Sequence, residues 1–156
     1  TILRPSLIYG PGDQFTVRLA EAIRLSPVLP VIGSGRSKIQ PIFIDDVNEC
    51  IRKIVTSDSY LNEMYEIGGP EQLSYEEVTT MIAEVLGVKR PTVHVPLFLM
   101  KTTAHMLQTI LPRPPVTTDQ LIMLQEDNVC SMRDIREVFG IDPMLFKEGL
   151  KRFLKK

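Results

Sequence analysis

The first thirteen residues most constrain the fold, because an apolar run there ends abruptly in a rigid turn. Its side chains favour a strand that is buried on both faces, as in a parallel sheet. The apolar residues of this run are Ile2, Leu3, Leu7 and Ile8. The turn, Gly10-Pro11-Gly12, would lie at the carboxyl end of the strand, where α/β proteins bind their ligands. The same pattern also fits a plain strand followed by a surface turn.

The composition of the 156 residues indicates a globular domain with a core, since 44% of them are hydrophobic and 24% are charged. A formal net charge of -1 argues against a partner that is a nucleic acid or an anionic membrane. No apolar run reaches the length of a membrane span. Cys50 lies in an apolar helical pattern far from Cys130, which predicts a buried thiol and a reducing, cytoplasmic setting.

Helices and extended segments alternate in the first third of the chain. Apolar spacing predicts a helix over residues 15–23 with Asp13 as its cap. Extended segments are predicted at 28–32 and 39–44. The turn Gly33-Ser-Gly35 precedes a strand rather than a helix, so it does not match a phosphate-binding loop.

Two adjacent aspartates, Asp45 and Asp46, precede a run with helical spacing. One of them suits the N-cap position, and the other suits the positive end of the helix dipole. A carboxylate pair for acid/base chemistry is the functional alternative. We favour capping, because adjacent carboxylates before a helix need no further cause.

The middle of the chain carries signals for two strands and a well-bounded helix. The strands are predicted at 64–67 and 92–95. Between them, Ser74 and Glu77 form a capping box for a helix that ends at Gly87.

Further helix signals follow toward the end of the chain. Pro96, Thr117 and Ser131 each stand where a helix is expected to begin. Asp142-Pro143 is expected to cap and start the last helix. The inner face of that helix would hold Phe146, Leu150, Phe153 and Leu154.

The residues alone nominate no catalytic centre and no metal site. His94 and His105 are 11 residues apart, and neither has a cysteine or carboxylate at the spacing of metal ligands. Nothing in the chain matches a nucleophile elbow either.

Three motifs nevertheless resemble one protein family. They are Arg-Pro-Ser-Leu-Ile-Tyr-Gly-Pro-Gly-Asp at 4–13, Gln-Pro-Ile-Phe-Ile-Asp-Asp-Val at 40–47 and Tyr-Glu-Ile-Gly-Gly-Pro-Glu-Gln-Leu-Ser at 65–74. All three are similar to motifs of the extended short-chain dehydrogenases/reductases, the NAD-dependent epimerase/dehydratase superfamily. The resemblance implies an α/β fold, the C-terminal portion of a Rossmann-like fold, with few parallel strands and a mostly helical substrate-side region. It assigns 1–90 to the C-terminal part of the Rossmann-like domain, with substrate-side insertions, and 91–156 to the mostly helical substrate-side and C-terminal region.

The same resemblance implies where ligands bind. In the family, the first of these motifs lines the nicotinamide end of the cofactor and the substrate cleft. The expected cofactor-binding residues are Pro5, Ser6 and Leu7. The expected substrate-binding residues are Tyr9, Arg36 and Gln40.

Two parts that the family uses do not occur in these 156 residues. There is no Gly-x-Gly-x-x-Gly turn to take the pyrophosphate, and no tyrosine has a lysine four positions on. The resemblance therefore implies that NAD or NADP binds to a longer parent protein. It implies that this fragment alone binds no cofactor, contains no catalytic residue and is inactive.

The branch within the superfamily bears on the function. Ile39, Gln40 and Pro41 stand where sugar-nucleotide epimerases usually carry Arg-Asp-Phe or Arg-Asp-Tyr. The chain is more similar to the branch that includes the Rossmann-type accessory subunit of respiratory complex I. The parent would be an NAD(P)-dependent oxidoreductase or epimerase/dehydratase acting on an unidentified small-molecule substrate. Alternatives are a non-catalytic NAD(P)-binding module in a larger protein assembly and a small α/β domain without a ligand. The isolated fragment is further expected to form a homodimer through its first strand.

Overall fold

The computed structural model describes residues 1–96, 98 and 126–154, in which short strands alternate with helices. The strands are β1 (Ile2–Pro5), β2 (Ile8–Tyr9), β3 (Leu29–Ile32), β4 (Lys38–Ile39), β5 (Ile42–Phe43), β6 (Met64–Ile67), β7 (Leu73–Ser74) and β8 (Thr92–Val95). The helices are α1 (Thr16–Leu25), α2 (Ile44–Thr56), α3 (Tyr75–Leu86) and α4 (Phe146–Phe153). A 3-10 turn at Asp58–Tyr60 follows α2, and a π-helical turn at Asp134–Val138 precedes α4.

The described strands pair two by two. β1 runs parallel to β6, with Ile2 opposite Met64 and Pro5 opposite Ile67. β2 is parallel to β5 and β3 is parallel to β8, whereas β4 and β7 are antiparallel. Parallel neighbours need long connections, and here those connections contain the helices. The parallel pairs and the helices between them confirm the predicted α/β class.

Two apolar clusters hold these elements together. The larger one surrounds Tyr9 and joins α1, α3, α4 and β3. Its fully buried members include Ile23, Val31, Val78, Ile82, Phe146 and Leu150. The smaller one lies between α2, β6 and the π-helical turn, and its buried members are Ile42, Val47, Cys50, Tyr65, Ile67, Ile135 and Phe139. The predictions of a buried Cys50 thiol and of an apolar inner face on the last helix are both confirmed.

Both predicted boundaries of α3 are confirmed, whereas the start of α1 differs from the prediction. Phe15 holds the N-cap position of α1, and Asp13 lies two residues before it, where its Oδ1 accepts from the backbone N–H groups of Phe15, at 2.8 Å, and Thr16, at 2.6 Å. Ser74 and Glu77 form the capping box of α3. Gly87 ends α3 in the left-handed region, with φ at 71°, which suits glycine because it has no Cβ.

The expected capping role of Asp45 and Asp46 is wrong. Helix α2 begins at Ile44, with Phe43 at the N-cap position, and both aspartates lie inside its first turn. Asp46 instead uses Oδ2 to accept the backbone N–H of Met144, at 2.9 Å. Both carboxylates do lie where the partial positive charge of a helix N-terminus favours them, although burial outweighs that effect at Asp46 and raises its pKa.

The expectation that the first strand is buried on both faces is also wrong. Ile2 is 54% exposed and Ile8 is 36% exposed. The run is divided into β1 and β2, because Ser6 and Leu7 interrupt it and the two pieces take different partners. In the described part of the chain, β1 has β6 as its one partner strand.

The start of the last helix differs from the prediction too. Helix α4 begins at Phe146, with Leu145 at its N-cap position, so Asp142 and Pro143 lie before it. Asp142 bonds Arg136 instead, at 3.0 Å. The backbone N–H of Phe146 donates instead to Oε2 of Glu71, 75 residues earlier in the chain, at 2.7 Å.

The remaining helix signals have mixed outcomes. The side chain of Ser131 accepts from the backbone N–H of Arg133, at 3.2 Å, just before the π-helical turn. The helix starts predicted at Pro96 and Thr117 concern segments that lie largely or wholly outside the described residues. Across 1–96, 98 and 126–154, no helix has the length and apolar character needed to cross a bilayer.

Candidate functional site

The carboxyl ends of β1 and β6 meet at the candidate site. Ser6 follows β1, and its backbone N–H donates to the carbonyl of Ile67 at 2.9 Å. The carbonyl of Leu7 accepts from the backbone N–H of Ile42, also at 2.9 Å. This hydrogen bond joins the residue before β2 to the first residue of β5. Gly68 and Gly69 follow β6. This edge of a parallel pair is where open α/β folds hold their ligands.

The buried side chain of Gln40 joins two segments of the chain at this edge. Nε2 of Gln40 donates to the carbonyl of Gly69 at 2.9 Å and contacts Sδ of Met132 at 3.3 Å. Oε1 of Gln40 accepts from the backbone N–H of Cys130 at 2.8 Å. The side chain is only 1% exposed, so both of its polar atoms serve protein contacts. Gln40 therefore ties a distant segment to the end of β6.

The two glycines after β6 are required by close packing. A Cβ on Gly69 would lie 1.7 Å from the carbonyl oxygen of Pro41, and a Cβ on Gly68 would lie 2.8 Å from Cδ of Gln40. Since real Cβ atoms do not approach other atoms so closely, a side chain at either position would force the site apart.

Residues 126–132, called the arm below, lie against β4 and Ser6. The backbone N–H of Asn128 donates to the carbonyl of Lys38, and the backbone N–H of Lys38 donates to Oδ1 of Asp127, both at 2.7 Å. Oγ of Ser6 lies 2.9 Å from the carbonyl oxygen of Asn128 and 3.2 Å from its Oδ1. These bonds hold an exposed carboxamide beside a buried hydroxyl at the carboxyl end of β1.

Tyr9, a predicted substrate-binding residue, is fully buried in the larger apolar cluster. Its hydroxyl donates toward the carbonyls of Leu145 and Phe146, each at 3.4 Å, and its ring meets that of Phe146 edge-on. Burial, and after it the charges of Asp46 and Glu71, raise the pKa of Tyr9 far above its ordinary value. The hydroxyl is thus neutral at any physiological pH and anchors the start of α4.

The other predicted site residues lie at different depths. Pro5 is exposed and Leu7 is half-buried, on either side of Ser6. Arg36 is exposed in the connection between β3 and β4, and within the described residues no hydrogen bond or ion pair joins its guanidinium to another group. The structure thus brings Ser6 and Gln40 together through the arm, whereas Tyr9 faces α4. The ligand contacts assigned to these residues stay predictions.

Sequence reasoning about single residues did not single out the arm. Asn128 and Cys130 have partners about ninety positions away or more, so no local pattern marks them. Cys130 is half-buried next to Gly68, and burial, followed by the charges of Glu66 and Asp134, raises its thiol pKa. The run Asp-Asn-Val at 127–129 resembles the complex I accessory-subunit branch, but that resemblance gives these residues no position in the fold. Within the described part of the chain, no group of three or more His, Cys, Asp or Glu could hold a metal ion.

No protein-family model matches the chain. Among curated proteins, it is similar to the 3beta-hydroxysteroid-dehydrogenase/decarboxylase isoform 2 of Arabidopsis thaliana, with 23% identity over 96% of this chain and 30% of the relative. It is 27% identical to the mitochondrial NADH dehydrogenase [ubiquinone] 1 alpha subcomplex subunit 9 of the same plant, over 84% of this chain and 35% of the relative. It is 29% identical to the 2-alkyl-3-oxoalkanoate reductase of Stenotrophomonas maltophilia, over 96% of this chain and 49% of the relative.

Solved structures give the same result for the fold. The UDP-glucose 4-epimerase of Thermus thermophilus, in complex with NAD, matches with a TM-score of 0.66 and 18% identity, over 98% of this chain and 44% of that chain. The dTDP-glucose 4,6-dehydratase of Bacillus anthracis, also in complex with NAD, matches with a TM-score of 0.64 and 18% identity, over 98% of this chain and 42% of that chain. The predicted Rossmann-like fold is therefore confirmed. The chain spans between 30% and 49% of the length of the three curated relatives.

Proposed function

We propose that this chain, which is similar to members of the extended short-chain dehydrogenase/reductase (NAD-dependent epimerase/dehydratase) superfamily, supplies the nicotinamide-side wall and the substrate-side region of an NAD(P)-dependent oxidoreductase or epimerase. The observation that carries the proposal is the meeting of Ser6, the two glycines after β6 and the arm at the carboxyl ends of two parallel strands. In this proposal, residues 1–90 form the Rossmann-like portion and residues 91–156 form the substrate-side region.

The donor set at this edge suits the nicotinamide end of NAD(P). Ser6 and Asn128 offer a hydroxyl and a carboxamide, which can hydrogen-bond a neutral polar ring substituent. Pro5 and Leu7 flank Ser6 with apolar surface that can cover the ring. The pyrophosphate end needs a Gly-x-Gly-x-x-Gly turn, which these 156 residues lack, and in the proposal residues outside them provide it. When bound, NAD(P) would supply hydride transfer.

The other predicted residues divide into two roles. Arg36 is exposed, so it can reach an anionic or hydroxylated small-molecule substrate. Gln40 and Tyr9 are buried, so in this proposal Gln40 holds the arm in place and Tyr9 holds the start of α4. The proton-transferring tyrosine-lysine pair that the family uses would also come from outside the 156 residues. A cytoplasmic setting is part of this proposal.

Calorimetry with NADH and NADPH tests the proposal. The full-length protein is expected to bind at least one of them with a dissociation constant near 1 µM, about -8 kcal/mol. The 156-residue chain by itself is expected to show no measurable binding, because the pyrophosphate contacts are missing. A full-length protein that binds neither cofactor would overturn the function. Micromolar binding by the 156 residues alone would contradict the proposal that the pyrophosphate contacts come from residues outside them.

A non-catalytic module in a respiratory-type assembly is the second candidate. It is favoured by the 27% identity to an alpha subcomplex subunit of a mitochondrial NADH dehydrogenase, and by the exposed apolar side chains of Ile2 and Met64, which lie opposite each other. Native gel separation of host extracts, probed for the full-length protein, distinguishes the two. Migration with the host's NADH dehydrogenase supports the module, and migration at the size of a monomer or dimer contradicts it.

A further inference from the structure

Asn128 combines exposure with unusually firm anchoring. Its backbone N–H is bonded to the carbonyl of Lys38 at 2.7 Å, and its carbonyl oxygen lies 2.9 Å from Oγ of Ser6. The side chain oxygen is also in reach of that hydroxyl, at 3.2 Å. The backbone of Asn128 is thus held at two points and its exposed side chain at one, which restricts the carboxamide before any ligand arrives.

The carboxamide of Asn128 keeps unused hydrogen-bonding capacity. An asparagine side chain carries two N–H donors and two acceptor lone pairs. Ser6 occupies one position, and no further hydrogen bond joins this side chain to the described part of the chain. At least one donor and one acceptor of the same planar group therefore stay available beside Ser6.

We propose that Asn128 is a specificity-determining residue, which pairs its carboxamide with the carboxamide of a nicotinamide ring at the carboxyl end of β1. This inference rests on the proposed function and deepens it. Two carboxamides are complementary, since each offers a carbonyl and an amino group in one plane, and they can form two hydrogen bonds at once. The ring beside Ser6 would thereby be held in one orientation.

Gln40 acts as a positioning residue for this contact. Its Oε1 holds the backbone N–H of Cys130 at 2.8 Å, two residues beyond Asn128, while its Nε2 holds Gly69. The arm is thus tied to the ends of both β1 and β6. A carboxamide carried on a loosely attached arm could not impose one orientation on a ring.

Cofactor analogues test the pairing in the full-length protein. The readout is the displacement of bound NADH by each analogue, followed by the fluorescence of NADH. The 3-acetylpyridine analogue of NAD keeps the carbonyl and loses the amino group. Wild type is expected to prefer NAD over this analogue about fivefold, the effect of one hydrogen bond. Asn128→Ala is expected to reduce that preference to about onefold.

A charged variant gives a second, independent result. Asn128→Asp keeps an acceptor for Ser6 and places a negative charge next to the ring substituent. Nicotinic acid adenine dinucleotide carries a carboxylate there, so Asn128→Asp is expected to raise the discrimination against this analogue by about tenfold or more. Asn48→Asp, on the exposed surface of α2, makes the same change in net charge and is expected to leave the discrimination unchanged.

The outcomes separate this inference from the proposed function. If wild type binds NADH and the analogue preferences of both Asn128 variants equal those of wild type, the pairing is overturned and the function stands. If wild type does not bind NADH or NADPH, both are overturned. Thermal melting identifies a variant that fails to fold, and in that case the remaining variant decides the question.

Discussion

At the scale of single residues, the most informative side chain is Gln40. It is buried, it is neutral, and it bonds Gly69 on one side and Cys130 on the other. A short polar side chain that satisfies two backbone groups in this way is costly to replace, because its partners would stay buried without hydrogen bonds.

We therefore predict that Gln40→Leu destabilises the protein by about 2–5 kcal/mol, since it leaves the carbonyl of Gly69 and the N–H of Cys130 unpaired. Urea unfolding measures the change. Gln72→Leu makes the same substitution at an exposed position and is expected to change stability by less than about 0.5 kcal/mol. Equal effects at the two positions would contradict the role of Gln40.

Asp46 makes a prediction about pH. Burial raises its pKa, only partly offset by the N–H of Met144. A carboxyl whose pKa is higher in the folded than in the unfolded state disfavours folding when ionised, so stability gains from its protonation as the pH falls through the raised pKa. We predict that Asp46→Asn, which keeps an acceptor for Met144, is as stable as wild type or more stable at pH 7.

The matched substitution is Asp46→Ala, which leaves the N–H of Met144 without its partner and is expected to cost about 1–3 kcal/mol. Urea unfolding at pH 7 and pH 5 compares the three proteins. The advantage of Asp46→Asn over wild type is expected to shrink at the lower pH. An advantage that grows on acidification would show that the ionised carboxylate stabilises the fold.

At the scale of elements, the contrast between α3 and α4 shows what a sequence can predict. The cap of α3 is made by Ser74 and Glu77, three residues apart, so a short segment of sequence contains the whole capping box. The start of α4 depends on Glu71 and Asp46, which lie 75 and 98 residues from their partners. No local pattern carries that information, and the nearer Asp142-Pro143 gave the wrong boundary.

The capping box itself gives a testable expectation. Ser74→Ala removes the side chain that accepts the backbone N–H of Glu77 at 3.2 Å, and is expected to cost about 1 kcal/mol in the free energy of unfolding. Thermal or urea unfolding measures the change. Ser59→Ala, at an exposed site in the 3-10 turn, is the control and is expected to cost less. No difference between the two variants would mean that α3 does not need its cap.

The same contrast applies to the candidate site. The strand-turn at its centre was recognised because the motif around Ser6 is continuous in sequence. The arm was not, because its residues reach β4 and Ser6 only after the chain has folded back on itself. Sequence patterns therefore located one wall of the site, and the structure was needed to find the other.

At the scale of the whole molecule, the feature that bears on association is the edge of β1, which has β6 as its one partner strand among the described residues. Ile2 is 54% exposed and Met64, opposite it, is 50% exposed. An apolar strand edge invites pairing with another chain. We predict that the isolated chain self-associates through β1, as a dimer or larger species, and that light scattering across a dilution series detects it.

A charge at this edge is expected to break the association. Ile2→Lys should shift the chain to a monomer, because pairing would bury the added charge. Leu25→Lys places the same charge at the exposed end of α1, where the side chain is 88% exposed, and should leave the association unchanged. A wild-type chain that stays monomeric at high concentration would show that the edge is covered in another way.

The long reach of the arm has a consequence for the order in which the protein forms. Its contact with Gln40 joins residues 90 positions apart, and closing so large a loop costs conformational entropy before any bond repays it. Helices such as α3 can form from neighbouring residues, but the arm can dock only when β4 and β6 are already in place. In a newly made chain, Ser6 would thus stay open to water until residues 126–132 have been made and the chain has folded back on β4.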